Sequence, residues 1–110
     1  MKSIVNTDYG TCYLCGSHRN LEEHHIFGGP NRKISEKYGL KVRLCRDCHT
    51  GNEGVHKKKE LMNSLKMMGQ TVFESKYENR EIKVKKTDYE EFYDRSPREK
   101  FMQLIGRNYI

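Results

Sequence analysis

Two C-x2-C pairs constrain this sequence more than any other feature. Cys12 and Cys15 form the first pair, and Cys45 and Cys48 form the second. A C-x2-C turn presents two sulfurs to one ion, and zinc takes four ligands in a tetrahedron, so the pairs together predict one closed structural zinc site. The 29 residues between the pairs must form a unit whose ends return together, and a β-hairpin does that.

A metal cross-link suits a chain of this size. Only 35% of the 110 residues are hydrophobic, so a large apolar core is not available. Four cysteines could instead form two disulfides. The first residues lack the apolar stretch of a signal peptide, and no run approaches the roughly 20 apolar residues of a membrane helix. We therefore expect a cytoplasmic protein without membrane contact, where C-x2-C pairs favour zinc over disulfides.

Four histidines accompany the cysteine pairs. His24 and His25 form a doublet, His49 follows the last cysteine directly, and His56 comes shortly after it. Adjacent strand residues point to opposite faces, so His24 and His25 cannot both bind one ion from a regular strand. We expect one to bind metal, in a site closed by His49 and His56, and the other to serve a different purpose. The alternatives are a histidine that replaces a cysteine in the zinc site, or ordinary surface histidines.

The hydrophobic pattern predicts a small α+β fold. Residues 21–27 and 40–44 are predicted strands, and residues 32–38 are a predicted helical turn. The clearest helix covers about residues 55–68, and Gly69 is expected to weaken or kink it before a second stretch to residue 77. Its methionines are expected to fill gaps in the core. The face at helical spacing consists of Leu61, Leu65, Met68 and Val72.

The chain is predicted to divide into a main domain, residues 1–77, and a C-terminal extension, residues 78–110. Residues 82–85 hint at a short exposed strand, and residues 89–93 at a helical turn. Ser96-Pro97-Arg98-Glu99 is a capping box with proline at the first helical position. A terminal helix should therefore run to about residue 105, end at Gly106 and pack on the main domain.

Positive charge is concentrated around the later histidines. Residues 31–59 hold nine basic and three acidic side chains, which accounts for the net charge of +6 of the whole chain. A concentrated positive field beside a metal site suits a polyanion such as nucleic acid, although a lysine-rich surface is the simpler alternative. The predicted nucleic-acid contacts are Arg43, Arg46, Lys57, Lys58 and Lys59.

The order of these motifs carries a resemblance to a known family. Cys-x2-Cys, then Glu-His-His-Ile, then Leu-Cys-x2-Cys-His and a further histidine resembles the HNH (His-Me finger) endonucleases, over residues 12–56. The C-terminal part is similar to small HNH-like proteins of phages and prophages. The resemblance implies a zinc-stabilised ββα-metal domain with C-terminal helices, encoded by a phage or prophage and present in the bacterial host cell. The family's motif has a middle asparagine that positions the base, and Leu40 stands at that position.

The resemblance also implies a role for each histidine. His24, His49 and His56 would bind one catalytic divalent ion (Mg2+, Mn2+, Ni2+ or Zn2+), and His25 would be the general base that activates water. The ion would stabilise the transition state and the leaving 3′ oxygen, and the product would carry a 5′ phosphate. A neutral imidazole is a suitable base at neutral pH. The implied function is a metal-dependent DNA endonuclease or nickase.

Two other functions are compatible with the same residues. The first is a non-catalytic zinc module that binds nucleic acid or a phage packaging or recombination protein. The second is a thiol redox protein, which would have titratable free thiols in place of bound zinc. In any metal site, either Glu22 or Glu23 is expected to orient a histidine through a hydrogen bond.

Overall fold

The computed structural model describes residues 2–6 and 8–110 of the chain. Two antiparallel strands, β1 (Leu21–His25) and β2 (Lys41–Cys45), enclose a 3-10 turn (Gly29–Asn31) and helix α1 (Arg32–Tyr38). After them come α2 (Arg46–His49), α3 (Lys59–Glu78), a 3-10 turn (Lys86–Asp88), α4 (Tyr89–Phe92) and α5 (Pro97–Ile105). The predicted α+β class is confirmed. Within the described residues, no helix combines the length and the apolar character needed to cross a membrane.

The two strands bring the ends of the long segment between the cysteine pairs together. In their register Leu21 lies opposite Cys45. The strands pair as predicted. Helix α1, which lies where a helical turn was predicted, is part of the connection between them. The chain returns from α1 into β2 through Gly39, which has a left-handed φ of 71° and packs so closely that a Cβ there would lie 2.2 Å from the carbonyl oxygen of Lys2.

Helix α3 differs from its prediction at its start. It begins at residue 59 rather than near 55, because the N–H groups of residues 55 and 56 donate to the carbonyls of Cys48 and His49. It then continues through Gly69 to residue 78, close to the end predicted for the second helical stretch at residue 77. Gly69 lets the helix approach the segment after β1, since a Cβ there would lie 3.2 Å from side-chain atoms of Ile26 and Phe27.

The apolar face of α3 agrees with its prediction in part, since Leu65 is buried. Phe73 and Tyr77 are buried on the core side, one and two turns after Gly69. Met67 and Met68 are 46% and 44% exposed, so the prediction that they fill the core was wrong. The large aromatic rings bury more apolar area than the flexible methionines, and they decide which face turns inward.

Phe73 lies at the centre of the core, with its ring fully buried between the rings of Tyr38, Tyr77 and Phe101. We expect Phe73→Ala to lower the free energy of unfolding by about 3–5 kcal/mol, because truncating a buried phenylalanine leaves a cavity. Denaturant unfolding measures the loss. Met68→Ala, on the exposed side of the same helix, is the control and should cost about 0.5 kcal/mol or less. Equal losses in the two variants would contradict this packing.

The terminal helix agrees with its prediction. The Ser96 hydroxyl accepts the N–H of Glu99, and the Glu99 carboxylate accepts the N–H of Ser96, which completes the capping box. Helix α5 ends before Gly106, which has a left-handed φ of 88°. It packs against α3, and its Phe101 ring lies 5.4 Å from the ring of Phe27.

The segment before α5 contains no strand at residues 82–85, contrary to the hint in the sequence. The Tyr93 hydroxyl donates to the carbonyl oxygen of Ile82 and accepts its N–H, so a side chain satisfies the backbone groups that a strand would offer to a neighbour. The predicted helical turn nearby is present as α4.

Candidate functional site

The four cysteines converge at one place. Their sulfur atoms all lie within 4.8 Å of one another, and the Sγ atoms of Cys15 and Cys45 are 3.6 Å apart. The first pair is fixed to the sheet because the Tyr13 N–H donates to the carbonyl of Arg43 in β2. All four thiols are free, in contrast to the disulfide alternative. This cluster can hold a metal ion such as zinc.

The electrostatics of the cysteine cluster favour a bound cation. Burial acts to raise the pKa of Cys12, but hydrogen bonds from the backbone at residues 45, 15 and 14 outweigh it and lower the pKa to about 6. Burial and the neighbouring cysteines raise the pKa of Cys48 above its usual range. Four thiolates in so small a space would repel one another, and a bound cation would relieve that repulsion.

Three of the predicted histidines also converge. One ring nitrogen from each of His24, His49 and His56 lies within 4.8 Å of the others, and the Nε2 atoms of His49 and His56 are 3.0 Å apart. Two nitrogens that bind one ion at about 2.1 Å lie about 3.0–3.4 Å apart, so this separation fits a shared ion. The Nε2 atom of His24 is buried and has no hydrogen-bond partner among the described residues. A ligand at the cluster would satisfy it.

Glu22 orients one member of this histidine cluster. Its Oε1 atom lies 3.0 Å from Nδ1 of His49. A carboxylate oxygen can accept a hydrogen bond only from a nitrogen that carries a hydrogen. Nδ1 of His49 therefore carries the hydrogen, and Nε2 of His49 presents its lone pair toward His56. A carboxylate that fixes the tautomer and orientation of a histidine in this way is typical of metal sites.

Two of the three histidines in the cluster are held in the neutral state that a metal requires. Burial and, after it, the neighbouring imidazoles of His49 and His56 lower the pKa of His24 to about 4. Burial and the adjacent His49 also lower the pKa of His56. Near neutral pH both side chains therefore keep a lone pair available for an ion.

The loop between His49 and His56 contains two glycines and brings His56 back into contact with His49. The N–H of His56 donates to the carbonyl oxygen of His49 at 3.2 Å. A Cβ at Gly54 would lie 2.8 Å from the carbonyl oxygens of Asp47 and His49, and one at Gly51 would lie 2.6 Å from that of Asp47. Only glycine allows the loop to pack this closely on α2.

We expect Gly54→Ala to displace His56 and to weaken Co2+ binding at the histidine cluster by about 10-fold or more, as is usual when the support of a metal ligand is removed. Titration of zinc-loaded protein with Co2+, followed by visible absorbance, measures the affinity. Gly10→Ala is the control, because its Cβ would make an ordinary contact of 3.5 Å with Asp8. Unchanged Co2+ affinity in Gly54→Ala would exclude a role for His56.

His25 has surroundings different from those of His24. Its Nε2 atom lies 2.9 Å from Oε1 of Glu36 and 3.7 Å from Oε1 of Glu23, and its Nδ1 atom lies 3.5 Å from Nε of Arg32. The two histidines of the doublet thus have separate partners, with His24 in the imidazole cluster and His25 beside carboxylates.

A buried lysine holds those carboxylates in place. Nζ of Lys41 lies 2.9 Å from Glu36 and 3.3 Å from Glu23, and the Tyr9 hydroxyl donates to Glu23 at 2.6 Å. Hydrogen bonds from His25 and then Lys41 lower the pKa of Glu36 to about 2. Glu36 is therefore ionised, so the hydrogen of His25 resides on Nε2 and the lone pair on Nδ1.

All four histidines line one cavity of about 390 Å³, although His24 and His25 occupy successive positions in β1. Arg32 from α1 and Lys66 from α3 line it as well. Neither cation was predicted to take part in the site, and neither was Glu36. Lys66 lies outside the basic segment of the sequence. The one sequence signal that could have placed it at the cavity is its position one helical turn after Met62, which also lines the cavity.

The predicted nucleic-acid contacts are Arg43, Arg46, Lys57, Lys58 and Lys59, and none of them is among the residues that line this cavity. Arg43 is half-buried, and its guanidinium lies 4.5 Å from the centre of the Tyr9 ring. Arg46 and the three lysines are all exposed, and two of them have acidic partners: Lys58 lies 3.0 Å from Glu53, and Arg46 lies 3.8 Å from Glu22. These side chains are available to an external partner but do not contact the histidine cluster.

A scan against protein-family models found no matching family, and searches of the curated proteins and of the solved structures found no match. The activity of the chain must therefore be inferred from the two clusters and the cavity beside them.

Proposed function

We propose that this chain is a metal-dependent DNA endonuclease or nickase of the HNH, ββα-metal type. The observation that carries the proposal is the unsatisfied Nε2 of His24, buried beside His49 and His56 in a cavity that also contains His25. Two antiparallel strands followed by a helix that carries His49 support the ββα-metal assignment. Cations on the adjoining surface support a polyanionic substrate.

The two clusters have different roles in this proposal. The four cysteines hold a structural zinc ion, because a site with four thiolate ligands has no open position for chemistry. Cys12 and Cys15 would thereby be joined to Cys45 at the end of β2 and to Cys48 in α2, which would help to fix the positions of β1 and His49. The three histidines leave coordination positions open, which is what a catalytic divalent ion needs.

The histidines of the cavity have different roles in the proposed hydrolysis. A divalent ion bound by His24, His49 and His56 supplies positive charge where negative charge develops on the phosphate and on the leaving oxygen. His25 accepts a proton from water at Nδ1 while Glu36 holds its Nε2–H and stabilises the resulting imidazolium. The water oxygen forms the new bond to phosphorus, the bond from phosphorus to the 3′ oxygen breaks, and the 3′ oxygen takes a proton from solvent, which leaves a 5′ phosphate and a 3′ hydroxyl.

Nicking of supercoiled plasmid tests the proposal. Zinc-loaded wild-type protein should produce relaxed circles with 5′-phosphate ends when Mg2+, Mn2+ or Ni2+ is added, and none without an added ion. His49→Ala should lose this activity. His18→Ala, which removes the one histidine outside the cavity, should retain it. If wild-type protein binds the plasmid but is inert with every ion, the alternative of a non-catalytic zinc module is correct.

A further inference from the structure

Two cations in the histidine cavity have no acidic partner. Arg32 and Lys66 both line it, and within residues 2–6 and 8–110 neither forms an ion pair. Instead, each lies against an uncharged group. Nε of Arg32 donates to Nδ1 of His25 at 3.5 Å, a long and weak hydrogen bond, and Nζ of Lys66 lies 5.5 Å from the centre of the Tyr109 ring.

The carboxylates beside Arg32 are already engaged. One of them, Glu36, contacts His25 and Lys41. Glu23 also lines the cavity, but its side chain accepts the Tyr9 hydroxyl at 2.6 Å and pairs with Lys41 at 3.3 Å. The cavity therefore carries excess positive charge, and a divalent ion at the histidines would increase it. Like charges held together in a concave site are unfavourable unless an anion binds between them.

We propose that Arg32 and Lys66 form a phosphate clamp, which grips the non-bridging oxygens of the phosphodiester that lies in the cavity. For its reaction this inference rests on the proposed nuclease function. The guanidinium offers a planar fork that matches two phosphate oxygens, and the ammonium acts as a point charge from a second helix. When Arg32 turns to the phosphate, it also releases Nδ1 of His25 to act as the base.

The size of the cavity fits this assignment. A volume of about 390 Å³ accommodates one phosphodiester group with parts of its two sugars, but not a duplex. The rest of the nucleic acid must therefore lie outside, where Arg46, Lys57 and Lys59 are exposed. The clamp holds the reacting group, and the outer cations hold the flanking backbone.

Hydrolysis of bis(p-nitrophenyl) phosphate with Mn2+ tests the clamp, since this small diester reaches the cavity without the outer contacts. Arg32→Gln and Lys66→Gln should each lower kcat/KM by about 10-fold or more. The matched controls are Lys33→Gln, the neighbour of Arg32 on α1, and Lys76→Gln, an exposed lysine of α3 paired with Glu81. The controls should change kcat/KM by less than about two-fold. Losses in all four variants alike would overturn the clamp.

A measurement of DNA binding distinguishes failure of the clamp from failure of the proposed nuclease activity. The affinity of a fluorescein-labelled ten-nucleotide single strand, measured by anisotropy over a salt series, should fall in both clamp variants. The slope of log K against log salt should decrease by about 0.7 for each lost contact. If wild type is inert but this pattern appears, the clamp stands and the nuclease proposal fails. If wild type is active but clamp and control variants bind and react alike, the clamp is wrong and the nuclease proposal stands.

Discussion

Replacing Cys45 with serine is expected to abolish zinc binding and cooperative unfolding together. Cys45 is buried at the end of β2 and immediately precedes α2. Zinc binding contributes about 10–16 kcal/mol in small zinc-dependent domains, whereas the net stability of a whole domain is about 5–15 kcal/mol. Loss of one thiolate ligand therefore removes an amount comparable to the whole stability of the fold.

Metal analysis and thermal unfolding followed by circular dichroism measure this effect. Wild type should contain one zinc ion per chain and unfold in one transition, while Cys45→Ser should contain no bound zinc and show no transition. Leu14→Ser is the matched control, because it introduces a serine into the first cysteine pair at a side chain that is 38% exposed. A Cys45→Ser protein that unfolds like wild type would show that zinc does not hold this fold together.

Replacing His25 with alanine is expected to lower the rate of plasmid nicking by about 100- to 10,000-fold, the usual contribution of a general base. Binding of the catalytic ion should be unchanged, because His25 is not a member of the His24, His49 and His56 cluster. Binding of the plasmid should also be unchanged, since the exposed cations remain. Nicking rates, Co2+ titration and a mobility-shift assay measure the three properties separately.

His24→Ala is the informative comparison for this prediction. It should lose both Co2+ binding and nicking, whereas His25→Ala should lose nicking alone. The neighbouring positions would then be separated into a metal ligand and a base. A His25→Ala protein that nicks within a few-fold of wild type would assign the base to another group, and the carboxylates that hold His25 would have a purely structural role.

The sequence allowed the two clusters to be located because their ligands are few and distinctive. The spacing of the cysteines predicted their convergence, and the alternation of a strand predicted that His24 and His25 would have different partners. Both patterns are local, and both depend on the chemistry of single residue types. The antiparallel pairing of the strands followed from the need to bring the two cysteine pairs together.

The parts that could not be predicted depend on how separate elements pack. Arg32 and Lys66 meet only because α1 and α3 border the same cavity, and no spacing in the sequence encodes that meeting. The position expected to hold the motif's asparagine belongs to Leu40, which is fully buried in the core, and Glu36 contacts the base candidate instead. The inward face of α3 was predicted only in part, because the rings of Phe73 and Tyr77 turn inward together with Leu65, whereas Met68 is exposed.

Successive side chains of β1 point to opposite faces, so the proposed activity depends on the length of the segment between Cys15 and β1. Glu22 and His24 serve the imidazole cluster, while Glu23 and His25 form the carboxylate network. An inserted or deleted residue between Cys15 and Leu21 would slide the strand by one position and exchange these two sets. Natural length variation should therefore accumulate in the irregular segment 79–85, where it leaves both sets in place, and should be rare in residues 16–20.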